Sequence, residues 1–163
     1  MYHTRHKKSK RFVPRSGDRP LSGIVGDASC LPVRDSIQKD GFFHGPVEWR
    51  VRDIATGEMI TASSVFKYGN VNIAELMAII DGVAWLHGSG DETTPVYSDS
   101  LTAIAWYNNR RMKSRHPCNE LTVGLFEIAN SMMEWLIVNK PKNPVLFWDN
   151  VKWGENPADY GRK

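Results

Sequence analysis

Long apolar runs are missing from this chain. None of its 163 residues belongs to a stretch near the ~20 apolar positions of a membrane-spanning helix, so no membrane span is expected. The first residues are polar and basic with no apolar core behind them, which argues against a secretory signal. Cysteine is scarce. Cys30 and Cys118 are too few for a disulfide framework and too far apart for a zinc knuckle, and read as reduced thiols of a cytoplasmic protein. No internal repeat and no His/Cys cluster is visible. What is present is an ordinary globular composition, 41% hydrophobic and 24% charged, in a length that suits one domain with a real core.

Charge is unevenly placed. Residues 1–20 hold seven Lys/Arg against Asp18 alone, while the whole chain is only +3, so the remainder is mildly acidic. The division expected is a flexible basic arm over 1–21 and a folded domain over 22–163. Such an arm attracts phosphate backbones without reading sequence, or is simply a solvated leader.

The pattern predicts strand, loop, two strands, helix, strand, two helices, strand, helix. Ser22 to Ala28 reads as the first strand and Leu31 to His44 as a long charged loop. Val47, Trp49 and Val51 alternate with Glu48, Arg50 and Arg52, the period of a strand with one buried face. Thr56-Gly57 turns it into a third strand over Glu58–Phe66. From about Asn72 a helix follows, its stripe Ile73, Leu76, Met77, Ile80, Val83 and Ala84 facing the core. Strand Thr94–Ser98 and helix Asp99–Asn108 come next, and then the basic connection Arg110–Arg115. Pro117 is expected to open a long helix packed through Leu121, Leu125, Ile128, Met132 and Trp135. Val145–Trp148 is the last strand, and Asn156-Pro157 the start of a final helix, as N-cap and first helical residue. This order implies an α/β fold, a mixed sheet carrying helices.

Four acids stand where elements begin or end: Asp27, Glu75, Asp99 and Asp159. Singly each has a plain explanation, as a turn aspartate, a carboxylate in a first helical turn, or a helix cap. Together they say more. Asp27 and Asp99 lie on or just beyond apolar strands, and Glu75 borders the buried stripe. Carboxylates gathered there repel one another unless protons or divalent cations intervene. Hard oxygen ligands favour Mg²⁺ or Mn²⁺ over zinc or copper.

At these residues the chain resembles the catalytic domain of ribonuclease H, type 1. The likeness lies in Gly26-Asp27-Ala28-Ser29-Cys30, Asn72-Ile73-Ala74-Glu75-Leu76 and Tyr97-Ser98-Asp99-Ser100. The ending Trp153-Gly154-Glu155-Asn156-Pro157-Ala158-Asp159-Tyr160-Gly161-Arg162-Lys163 is similar to that of the family's bacterial branch. The resemblance spans about residues 22–163 and implies the ribonuclease H-like fold, a five-stranded mixed sheet of a three-strand antiparallel meander plus two parallel strands. It implies hydrolysis of the RNA strand of RNA/DNA hybrids by a two-metal-ion mechanism, leaving 5′-phosphate and 3′-hydroxyl ends. Asp27, Glu75, Asp99 and Asp159 would hold two Mg²⁺, with Mn²⁺ able to substitute, and Glu155 would assist product release. Substrate contacts are implied for Ser29, Asn70, Asn72, Trp106, Ser114 and Arg115, with core packing an equal alternative for Trp106. A cytoplasmic monomer is expected. Two features depart from the family: the charged segment Leu31–His44 beside Asp27, and the lack of a histidine between Trp148 and Asp159. A proofreading exonuclease would need Asp-x-Glu where Asp27-Ala28-Ser29 stands. A binding module without catalysis would be expected to have lost one of the four acids.

Overall fold

The structure, a computed structural model of the chain, describes residues 17–30 and 37–159. Its elements are β1 (Ile24–Cys30), β2 (Ile37–Lys39), β3 (Phe42–Asp53), β4 (Met59–Ala62), β5 (Phe66–Gly69), α1 (Val71–Gly88), β6 (Val96–Ser98), α2 (Leu101–Asn108), α3 (Val123–Asn139), β7 (Val145–Phe147) and α4 (Asn150–Trp153). Strand β3 is the hub. It pairs antiparallel with β1 from Ile24↔Asp53 to Cys30↔Val47, and antiparallel with β4 and β5. β6 joins β1 in parallel and β7 joins β6 in parallel. The expected α/β fold with a mixed sheet is therefore present, three antiparallel positions followed by two parallel ones.

The alternation read in β3 holds, with Val47, Trp49 and Val51 buried and Glu48, Arg50 and Arg52 half-buried. Two strands differ from expectation. The long loop Leu31–His44 is in part a hairpin: β2 pairs with the start of β3 across Asp40-Gly41, whose φ angles are 53° and 76°. Two successive positive φ values are what a two-residue hairpin turn of matching twist requires, and Asp-Gly supplies them. The third strand is split into β4 and β5, and Ser63 carries the pairing across the break. Its Oγ accepts from Trp49 N at 2.9 Å, and its own N–H donates to Trp49 O.

Helix α1 is capped by Asn70, whose Oδ1 accepts from the N–H groups of Asn72 and Ile73. The single buried stripe expected of it is too narrow, since Ala74, Glu75, Ala78, Ile79 and Gly82 are buried as well. The sheet lies on one side, against β1 and β3, and α2 and α3 flank it, so α1 is the centre of the helical layer. Gly26 lets β1 come close to it, because a Cβ at this position would lie 2.9 Å from the Cβ of Ala78.

Helix α3 begins at Val123 rather than Pro117. Side chains claim the intervening backbone: Asn119 Oδ1 accepts from Leu121 N and Thr122 N, and Thr122 Oγ donates to Pro117 O. Its packing face is also rotated from the expected one, to Leu125, Ala129, Met133 and Leu136, leaving Ile128 exposed. The helix expected at Asn156-Pro157 is absent up to Asp159. A single turn, α4, precedes it instead, capped by Asp149 and ended at Gly154 with φ +82°. Residues 160–163 of that expected helix lie outside the described residues.

Of the expected arm, residues 1–16 lie outside the described residues. Gly17 O accepts from Trp153 Nε1 at 2.9 Å, and Arg19 lies over the ring of Trp148 at 5.5 Å. Among the described residues no helix is long and apolar enough to cross a membrane.

Candidate metal centre and the cleft beside it

Three of the four expected acids converge. One carboxylate oxygen from each of Asp27, Glu75 and Asp99 lies within 4.8 Å of the others. Each arrives on a different element. Asp27 is the fourth residue of β1, opposite Arg50 in register, Glu75 is in the second turn of α1, and Asp99 follows β6. The buried contact of Gly26 with Ala78, one helical turn beyond Glu75, brings the helix against the strand at this level.

Burial and mutual repulsion dominate the electrostatics. Asp27 is 5% exposed, and its pKa rises to about 7, first through loss of solvent and then through the charges of Asp99 and Asp159. Glu75 is pushed well above the ordinary carboxylate range, again by burial and then by Asp27 and Asp99. The two carboxyls face each other within this triangle, so without a cation burial and repulsion favour their protonated forms. Among the described residues Glu75 Oε2 is buried with no hydrogen-bond partner. A buried acceptor without a donor, within a triangle of hard oxygen ligands, fits a small divalent cation.

Asp159 stands apart from that triangle, yet its charge reaches Asp27. The tail that bears it is held by side chains. Arg50 Nε donates to Ala158 O at 2.6 Å, and its Nη2 donates to the carbonyl of Asp159 itself. Asn156, 2% exposed, donates from Nδ2 to Gly26 O at 3.1 Å and accepts from Ala158 N at 2.8 Å. Asp99 has a comparable support in Asn150, whose Nδ2 donates to Asp99 Oδ2 at 3.0 Å. Glu155 is exposed on the tail, outside the triangle. Ser29 is buried two residues beyond Asp27, on the same side of β1.

The remaining expected contacts meet elsewhere. Asn70, Asn72, Trp106, Ser114 and Arg115 line one open cleft of about 280 Å³, together with Phe42, Lys113 and His116. The amino end of α1 enters this cleft through Asn70 and Asn72, and Lys113 and Arg115 bring cationic side chains. A helix amino terminus with two cations suits an anion. Asn70 Oδ1 is committed to the cap, so its Nδ2 is the group left to donate. Trp106 is half-buried, packed against the core while it lines the cleft.

Sequence reasoning did not single out Arg50, Asn150, Lys113, Phe42 or the histidines His44 and His116 as parts of the site. Only Phe42 carried a usable signal, standing just after the Asp-Gly turn.

No family model matches the chain. Solved structures similar to it include the N-terminal RNase H domain of a Mycobacterium tuberculosis protein, at 18% identity and a TM-score of 0.41, covering 77% of this chain and 86% of that one. RNase H1 of Halobacterium salinarum is similar at 11% identity and a TM-score of 0.44, covering 80% of this chain and 86% of that one. LC11-RNase H1, in complex with an RNA/DNA hybrid, is similar at 16% identity and a TM-score of 0.43, covering 77% and 81%. Overlaps of this size leave the chemistry to the residues themselves.

Proposed function

We propose that this protein is a metal-dependent endoribonuclease, a ribonuclease H of type 1, that cuts the RNA strand of RNA/DNA hybrids. The observation that carries the reading is the convergence of Asp27, Glu75 and Asp99 within 4.8 Å, on the residues of the family's motifs. Asp27, Glu75, Asp99 and Asp159 would hold two Mg²⁺, or Mn²⁺ in their place. When bound, the ions supply an activated water as nucleophile and stabilise the departing 3′ oxygen. The protein's own residues do the rest. Asp27 and Glu75, whose burial favours their protonated forms, would have to be ionised to act as ligands. Arg50 and Asn156 hold the tail that carries Asp159 beside the triangle, and Glu155 on the exposed tail aids departure of the 5′-phosphate product.

Strand choice falls to the cleft. Asn72 reads a 2′-hydroxyl of the RNA strand, the group that separates RNA from DNA. Asn70, Ser114 and Arg115 grip a phosphate of the DNA strand, Trp106 lies against its sugar, and Ser29 contacts the substrate beside Asp27. The protein acts as a cytoplasmic monomer, its domain over residues 22–163 preceded by a basic arm over 1–21 that adds sequence-independent attraction to nucleic acid.

The deciding experiment is cleavage of a labelled hybrid with Mg²⁺, Mn²⁺ or EDTA, beside duplex and single-stranded RNA, with Asp27→Asn as control. The expected result is metal-dependent cutting of the hybrid's RNA strand alone, lost in the variant. Hybrid binding without cutting under any metal would refute the activity.

A further inference from the structure

The β2–β3 hairpin and the segment 113–122 are distant in sequence and meet at four points. On the outside Lys39 pairs with Glu120, and Asn119 Nδ2 donates to Asp40 Oδ2 at 2.7 Å. Inside, His44 Nδ1 and His116 Nε2 are 2.7 Å apart in a buried pair, and Phe42 meets the His116 ring edge-on at 5.6 Å. The Lys39 carbonyl, 3.0 Å from His44 Nε2, can only accept. That nitrogen therefore carries the hydrogen, and with a neutral His44 ring Nδ1 accepts from His116 Nε2–H. From His116 the chain of contacts goes on, for its backbone N–H donates to Ser114 Oγ at 3.1 Å.

The segment so held is also anchored at its ends, where Arg111 N–H donates to Trp106 O at 3.0 Å, Met112 packs against the core and Thr122 Oγ donates to Pro117 O. Residues 111–115 form no regular structure, and Arg110, Arg111, Lys113 and Arg115 are like charges that repel one another. Yet Lys113, Ser114 and Arg115 form one wall of the cleft, and Phe42 of the hairpin completes it. We propose that the β2–β3 hairpin is a clasp that fixes the basic loop, with His44 and His116 as positioning residues. Through that loop it sets the cleft's affinity for a nucleic-acid backbone. The identity of the ligand rests on the hybrid-cleaving reading above; the clasp itself does not.

The test uses the full chain with His44→Phe, which keeps a ring and removes both ring hydrogen bonds. A second variant, Lys39→Ala with Asp40→Gly, opens the clasp at its exposed edge and leaves the core alone, since glycine tolerates the positive φ at position 40. Limited trypsin digestion without nucleic acid reports the loop through its own arginines and lysine. Binding of an RNA/DNA hybrid in EDTA, then KM and kcat with Mg²⁺, report the cleft. Both variants are expected to be cut in the loop about five-fold sooner. They should bind hybrid roughly three- to ten-fold more weakly and raise KM with kcat within about two-fold. An unchanged trypsin pattern in both variants would overturn the clasp, and a loosened loop with unchanged hybrid binding would overturn its link to affinity. If the wild-type chain binds no hybrid while the variants still open the loop, the functional reading fails together with that link, and the clasp stands.

Discussion

Two kinds of support hold the four carboxylates. Asp27 and Glu75 sit on β1 and α1, the elements at the centre of the core, where backbone hydrogen bonds and packing fix them. Asp159 lies on an irregular tail whose place depends on Arg50 and Asn156 reaching across to it. The difference teaches which parts can move without unfolding the protein. A change to the core acids alters charge in a fixed frame, whereas a change to the tethers alters position with every acid still present.

The largest effect should come from Asp27→Asn. On the proposed two-metal reading, in which Asp27 is a central ligand, hydrolysis should fall at least ~10³-fold. The same variant should melt at a higher temperature than wild type at pH 8 without metal, because it removes a buried charge. Activity assays and melting curves together check both halves, and a variant that loses activity and stability alike would mean Asp27 is structural.

Next is the metal-free pH profile of wild-type stability. An acid whose folded pKa lies above its unfolded value binds its proton more tightly when folded. Asp27 rises from 3.8 to about 7, so its contribution is full below about pH 4 and is lost as pH climbs through 7. Glu75 is raised in the same direction. Melting temperature without metal should therefore fall from pH 5 to pH 8, and Mg²⁺ should restore most of the loss at pH 8. A flat profile would show that the acids are better solvated than their burial implies.

The tethers should give smaller, graded losses. Arg50→Met should lower kcat by roughly ten- to a hundred-fold with partial recovery at high Mn²⁺, since the tail loosens while the triangle stays. Asn156→Ala, which strands the Gly26 carbonyl, should cost about 1–3 kcal/mol of stability and less activity than Arg50→Met. Urea melts and metal titrations of the two variants separate position from charge. Equal losses to Asp159→Asn, with no recovery by metal, would erase the distinction drawn here.

All four acids were legible in the sequence, though only Asp27 and Glu75 stand on regular elements. Asp27 interrupts an apolar strand, Asp99 follows one and Glu75 borders an apolar helix, patterns that report burial directly. The tethers were not legible. Arg50 occupies a polar position in β3's alternation, which reads as a solvated face until the tail is known to cross it. Asn156 was read as a cap, and its Oδ1 does accept from Ala158 N, but its Nδ2 is spent on β1, 130 residues away in sequence. The helix after Pro117 started late for a local reason, the side-chain bonds of Asn119 and Thr122 competing for the backbone. The hairpin at Asp40-Gly41 carried a signal that its charged surroundings obscured.

The hydrogen atom that Gly26 carries in place of a side chain acts as a spacer between layers. Strand and helix touch there, so an added carbon would lie only 2.9 Å from the Ala78 Cβ, one turn from Glu75 and one residue from Asp27. The gap between those two carboxylates is thus set by the thickness of a backbone rather than by either acid. A single methyl group at position 26 would widen the site as a wedge widens a jaw. It would change which cation radius the oxygens suit while leaving every acid in the sequence untouched.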